Sequence, residues 1–351
     1  MLFVLGLAAV LWGIGHLMRA PVRARLWMLG VLYLGVVVVQ LVLPAGHPLR
    51  ESLGGSAALW LILGAVVGLV LIYRALLQRI RARAEALDAD RAATAPTPPQ
   101  GPFSDEELER YARHITLREI GGPGQRALKD AAVLVVGAGG LGSPILLYLA
   151  AAGVGRIGVI DADEVSLSNL QRQVIHTDDR QGMPKVFSAQ KAVAALNPHV
   201  DLRPYNRMFT PDIAEALFAD YDLILDGTDA FATRAMVNAA AVATRKPLIA
   251  GAISAWEGQV TLYDPARGAP CMACVFPQAP APGLSATCAE TGVIGALPGV
   301  IGSMMALEAV KEITGAGAGL RGRMVIHDAL HAETREIRAK RRADCPVCGG
   351  V

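Results

Sequence analysis

One hexapeptide constrains the fold of this 351-residue chain more than any other feature. Gly137-Ala-Gly-Gly-Leu-Gly142 follows directly on Ala131-Ala-Val-Leu-Val-Val136, and an apolar stretch continues to Ala152. The run before the glycines is short, apolar and β-branched, as a strand buried on both faces of a parallel sheet requires. The hexapeptide carries G-x-G-x-x-G spacing between that strand and a helix. In this context the glycines let backbone N–H groups approach a phosphate at the helix N-terminus. A second strand is expected at Arg156–Ile160, ending in Asp161, where a carboxylate can accept hydrogen bonds from a ribose. Further strands are expected near Leu202, at Tyr221–Leu225 and at Pro247–Ala250, with helices around 185–196, 211–219 and 231–244. Alternating strands and helices imply an α/β fold, a doubly wound Rossmann-like sheet that is mostly parallel. Gln259–Tyr263 and Arg323–His327 read as extra strands.

Composition divides the chain. Hydrophobic residues make up 53% of it, high for a soluble enzyme, and the excess lies within residues 1–83. Three apolar runs occur there: Leu2 to Met18, Trp27 to Leu43, and Ser56 to Tyr73. Each is at the lower limit for a helix that spans a bilayer, so three transmembrane helices are expected. Arg19, Arg23 and Arg25 follow the first run, and Arg74, Arg79, Arg81 and Arg83 follow the third. An odd number of spans puts both basic flanks on one side, which the positive-inside rule makes the cytoplasm. The expected protein is a multi-pass protein of the cytoplasmic membrane, its N-terminus outside and everything after Arg74 inside. A signal peptide would need a basic segment before Leu2, and there is none. No acid or base lies within a run except His16, which argues against an ion pathway. A charged helical stretch follows, then the Pro-rich Thr94–Pro102. The expected division is an anchor at 1–83, a charged helix and linker at 84–102, and a nucleotide-binding domain at 103–351.

Net charge is only +2, which gives no reason to expect a nucleic-acid partner. All five cysteines follow residue 270. Cys271-Met-Ala-Cys274 and Cys345-Pro-Val-Cys348 form two C-x-x-C pairs whose four thiolates suit a closed, structural zinc site. Redox dithiols are the alternative. Cys288 stands alone after the Pro/Gly-rich stretch 277–283. It reads as a candidate acyl acceptor on a mobile loop, or as an inert thiol.

The glycine motif alone also serves dehydrogenases, so a nicotinamide oxidoreductase is a competing reading. Against it stands a polar cluster that a dinucleotide does not need: Asp161-Ala-Asp-Glu-Val-Ser-Leu-Ser-Asn-Leu-Gln-Arg-Gln173, then Lys185, then Leu225-Asp-Gly-Thr-Asp229. The loop lacks the Lys-Ser/Thr pair of a Walker A sequence, so cations for the phosphates must come from elsewhere.

With the glycine loop, this cluster closely resembles the ThiF/MoeB/HesA family, bacterial relatives of ubiquitin-activating enzymes. The similarity runs from about Leu108 to Gly349, and Arg110-Tyr-Ala-Arg113, Gly258-Gln-Val and Gly299-Val-Ile-Gly302 also fit. Among its branches the chain most resembles molybdopterin-synthase adenylyltransferase, with the thiamine branch second. The resemblance implies an ATP- and Mg2+-dependent adenylyltransferase. Its substrate would be the C-terminal Gly-Gly carboxylate of a ubiquitin-like sulfur-carrier protein. It further implies that Ser168, Asn169, Leu170, Gln171 and Arg172 contact the nucleotide, and that Arg172 and Lys185 face the phosphates. Asp229 would hold magnesium, Asp161 the ribose, and Gly140 would lie where the backbone closes on the nucleotide. Arg113 would reach the triphosphate of a neighbouring subunit, making the enzyme a homodimer. One departure is visible: the family pattern after the acid is Asp-Asn, whereas Ala230 follows Asp229 here. That change is the one support for a third reading, an inactive membrane-tethered scaffold.

Overall fold

The computed structural model describes residues 2–44, 46–54, 56–94, 101–279 and 292–350. The chain divides into two compact units, Met1–Pro99 and Gln100–Val351.

The first unit consists of α1 (Leu2–Leu17), α2 (Val22–Val42), the short α3 (Pro48–Leu53) and α4 (Ala57–Thr94). Val4, Val36 and Trp60 form its small buried contact. The Tyr33 hydroxyl donates to the Trp60 carbonyl at 2.7 Å, and the Trp60 indole donates to the Gly54 carbonyl at 3.0 Å. Most other apolar side chains point outward; Leu69 and Ile72 are each 68% exposed. The expectation of three spans is corrected to two. By length and composition, Val22–Val42 and Ala57–Ile80 can cross a membrane. The first run forms a helix of only 16 residues. At about 1.5 Å per residue such a helix reaches about 24 Å, short of a hydrocarbon core of about 30 Å. It ends where Arg19 adopts a left-handed backbone, φ 54°. With two spans, the number is even and no longer places the N-terminus opposite the segment after Arg74. The third run and the charged segment after it, expected as separate pieces, are one continuous helix of 38 residues.

The second unit is an eight-stranded sheet in the order β3-β2-β1-β4-β5-β6-β7-β8. The strands are β1 (Ala132–Val136), β2 (Arg156–Asp161), β3 (Asp201–Asn206), β4 (Leu223–Asp226), β5 (Leu248–Ile253), β6 (Glu257–Tyr263), β7 (Arg323–Asp328) and β8 (Glu333–Arg338). The first five run parallel, and β6, β7 and β8 continue the sheet antiparallel. Helices α5 (Asp105–Ile115), α6 (Gly121–Asp130), α7 (Gly142–Ala152), α8 (Lys185–Leu196), α9 (Pro211–Ala219), α10 (Phe231–Ala243), the short α11 (Met272–Val275) and α12 (Ala296–Thr314) surround it.

Every residue of β1 is buried. Its side chains alternate between two cores, as the two-residue period of a strand dictates. Val133 and Val135 join Ile145 and Leu149 of α7, Val186 of α8 and Met305 of α12. Ala132, Leu134 and Val136 join Phe218 of α9 and Val237 of α10. Sheet order reverses direction between β1 and β4. In open α/β sheets that switch point leaves a crevice beyond the C-terminal strand ends, where ligands bind.

Candidate active site

At the switch point lies a cleft of about 460 Å3, lined by the glycine loop, the ends of β2 and β5, and the segment between β4 and α10. Gly137 turns the chain out of β1 with φ +96°, a conformation that L side chains avoid, and a Cβ there would meet the Gly227 carbonyl oxygen at 3.3 Å. Gly142 is needed for contact, because a Cβ there would collide with the Gly137 carbonyl oxygen. These two glycines carry the chain from β1 through the loop that lines the cleft and into α7.

The loop is clamped from both sides at Ala138. Its N–H donates to Asp161 Oδ2 at 2.7 Å, and Asp161 Oδ1 accepts the Asp163 N–H at 2.8 Å. Its carbonyl lies 2.9 Å from Nε2 of His176, whose Nδ1 lies 2.9 Å from the Ser188 hydroxyl. His176 is buried, and burial pulls its pKa below the ordinary histidine value. A neutral ring that donates through Nε2 and accepts through Nδ1 satisfies both bonds. No feature of the sequence singled out His176.

The expected phosphate-facing cations share this cleft. Lys185 opens α8, its side chain only 5% exposed, with Nζ 2.8 Å from Asp163 Oδ2. The segment that carries Asp163 is tied to the start of α8, since the Lys185 N–H donates to the Asp163 carbonyl at 2.8 Å. Arg172 follows a short 3-10 turn, Leu167–Asn169, and donates through Nη2 to Asn169 Oδ1 at 2.9 Å and through Nη1 to the Ser168 carbonyl at 3.3 Å. Asp161, Asp229, Gly140, Arg172 and Lys185 all line the cleft, whereas Ser168, Asn169, Leu170 and Gln171 do not. Gln173, missed by the sequence reading as a single residue, lines it with a buried Oε1 that has no hydrogen-bond partner among the described residues. Arg113 is exposed on α5 and outside the cleft lining. At the end of β4, the buried carboxylate of Asp226 accepts from the Thr228 N–H at 2.9 Å and from its hydroxyl at 2.7 Å. Burial raises the Asp226 pKa, against the pull of Arg234. Ala230 is the N-cap of α10 and leaves that helix without a side-chain cap.

The four cysteines meet in a second cluster. Cys271, Cys274, Cys345 and Cys348 are buried, with all Sγ atoms within 4.8 Å of one another. Neighbouring sulfurs lie 3.9, 3.6 and 3.4 Å apart. Tetrahedral Zn–S bonds of about 2.3 Å put sulfurs about 3.8 Å apart, so the donor set fits a metal such as zinc. Burial pushes the Cys271 thiol up. At Cys345 burial acts the same way, but hydrogen bonds from the backbone N–H groups of Cys348 and Val347 and from the Cys271 and Cys274 thiols together outweigh it and bring the thiol down to about 7. A cation would relieve this crowding of buried sulfurs. Cys288 lies outside the described residues.

Comparisons with known proteins agree with this geometry. The ThiF family model matches residues 111–347. The sulfur carrier protein adenylyltransferase of Thermus thermophilus is 47% identical over 251 residues, covering 70% of this chain and 93% of that protein. The adenylyltransferase and sulfurtransferase MOCS3 of Bos taurus is 45% identical over 256 residues, covering 73% of this chain and 56% of that one. This chain thus spans about half the length of the latter. Among solved structures, E. coli MccB with ATP superposes with a TM-score of 0.61 at 19% identity, covering 72% of this chain and 77% of that one. At that identity it speaks to the fold alone. Glycine loop, switch-point cleft, sequence match and fold together place this chain in the ThiF family.

Proposed function

We propose that this adenylyltransferase uses ATP to adenylate the C-terminal carboxylate of a ubiquitin-like sulfur-carrier protein, with the molybdopterin-synthase small subunit preferred over the thiamine-branch carrier. The observation that carries the reading is the gathering of Asp161, Arg172, Lys185 and Asp229 around one glycine-loop cleft. A C-terminal carboxylate has a pKa of about 3.3–3.7, so it is already an anion at neutral pH and needs no general base. One of its oxygens bonds to the α-phosphorus of ATP. The bond from that phosphorus to the bridging oxygen breaks, and pyrophosphate leaves with the electron pair. The barrier is the approach of an anion to a polyanion, so fixed cations and positioning supply the catalysis. Arg172 and Lys185 are suited to neutralise the phosphates. Asp161 already clamps the glycine loop and has acceptor capacity left for a ribose hydroxyl. Asp229 would hold a magnesium ion, which supplies charge neutralisation at the phosphates.

Cys271, Cys274, Cys345 and Cys348 would bind zinc, a structural ion pinning the C-terminal tail. Arg113, exposed and away from its own cleft, would serve the cleft of a second copy in a homodimer. The helices Val22–Val42 and Ala57–Ile80 would anchor the enzyme in the cytoplasmic membrane. Only 11% and 6% of their apolar windows are buried, which sets them apart from core helices of a soluble protein. Two antiparallel spans put Arg23 and Arg25 of α2 and Arg74 and Arg79 of α4 on one side, which would be the cytoplasm. Carrier-dependent exchange of pyrophosphate into ATP tests the function. The reading expects exchange with one of the two carriers, and none with either would refute it.

A further inference from the structure

Arg234 lies in the first turn of α10 and lines the cleft. Among the described residues its buried Nε has no hydrogen-bond partner and its guanidinium enters no ion pair. The other cleft cations differ. Arg172 is held by Asn169 and Lys185 by Asp163, while Arg207 is exposed to water. Asp226 attracts Arg234 without an ion pair between them among the described residues, and its Oδ1 takes both Thr228 hydrogen bonds. A half-buried guanidinium whose buried Nε lacks a partner is costly, and its bond to an oxyanion that reaches it is strong.

Which oxyanion follows from placement. Arg172 and Lys185 come from the segment after β2, on the side of Asp161. Arg234 comes from the segment after β4, which also carries Asp229, and lines the cleft together with Ser254 at the end of β5. Sheet order puts the end of β1, and so the glycine loop, between the two groups. A nucleotide with its ribose at Asp161 and its phosphates on the loop meets Arg172 and Lys185. The acyl group has to approach from the other side.

We infer that Arg234 binds the terminal carboxylate of the acyl substrate through a two-point guanidinium fork and orients it for attack on the α-phosphate. This rests on the adenylation reading. The carboxylate loses charge as its oxygen bonds to phosphorus, so the contact is strongest before reaction and acts mainly on substrate binding.

The test uses the full chain in detergent with the carrier that supports exchange. Arg234→Gln should raise the KM for carrier about 10- to 100-fold and leave the KM for ATP unchanged. Arg234→Lys keeps the charge but loses the fork, and should fall between. Carrier binding is then measured with the native C-terminus and with the same carrier ending in a carboxamide. The wild-type chain should prefer the acid about tenfold or more, and Arg234→Gln should bind both equally. Unchanged ATP binding by the variants shows that they are folded. If the ATP KM rises instead, or the preference for the acid survives in Arg234→Gln, the inference is overturned while adenylation stands. If the wild-type chain shows no exchange with any carrier, the adenylation reading fails and takes this inference with it.

Discussion

Lys185 and Arg172 enter the cleft already held, the first by Asp163 and the second by Asn169. Side chains fixed before substrate arrives need little reorganisation when charge shifts in the transition state. Lys185→Met should therefore lower kcat/KM for pyrophosphate exchange by about 100-fold or more; a change under about threefold would remove Lys185 from the chemistry. His176 acts differently, by holding the Ala138 carbonyl. Its folded pKa lies below the ordinary value of about 6.5, so the unfolded chain takes up this proton first. The stability tied to His176 is full above the ordinary value and is lost as pH falls below it. Between about pH 7.5 and about pH 5.5, the melting temperature of the wild-type chain should drop further than that of His176→Asn. Equal drops would contradict a neutral, buried His176. The motif residues of the cleft were legible because each sits in a long pattern tied to a chain turn. His176 was not, since its partners Ala138 and Ser188 are distant in sequence and only folding brings them to the ring. The pairing of Lys185 with Asp163 was hidden for the same reason.

At the scale of elements, β1, β2, β4 and β5 were readable because a buried parallel strand must be a continuous apolar run. The edge strand β8 was not. Its sequence Glu333-Thr-Arg-Glu-Ile-Arg338 is exposed throughout and carries no apolar alternation; pairing with β7 alone defines it. Helix α1 shows the converse. Its composition reads as a span, and its length denies it. The two C-x-x-C pairs lie far apart in sequence, one at α11 and one in the tail, yet their sulfurs close into one cluster. Zinc there should appear as one ion per chain by elemental analysis. Cys345→Ser should lose it and lower the melting temperature by at least about 5 °C. A metal-free native protein with an unchanged melt would contradict a structural ion.

Over the whole molecule, two units of opposite character share one chain. The first exposes most of its apolar surface, whereas the second buries its apolar side chains on both faces of a sheet. Exposed apolar patches of that extent call for lipid or a partner. On cell lysis the full chain should sediment with membranes and resist alkaline extraction, needing detergent for release; recovery in the soluble fraction would contradict anchoring. The catalytic account does not depend on that outcome. Its central claim is transfer of AMP to a carboxylate, and the most direct measurement follows the label from ATP. With phosphorus labelled at the α position, the carrier should acquire label and mass at its C-terminus while unlabelled pyrophosphate is released, and a carrier ending in a carboxamide should acquire none. Transfer of the γ-phosphorus, or a carrier left unmodified by the wild-type chain, would contradict the account.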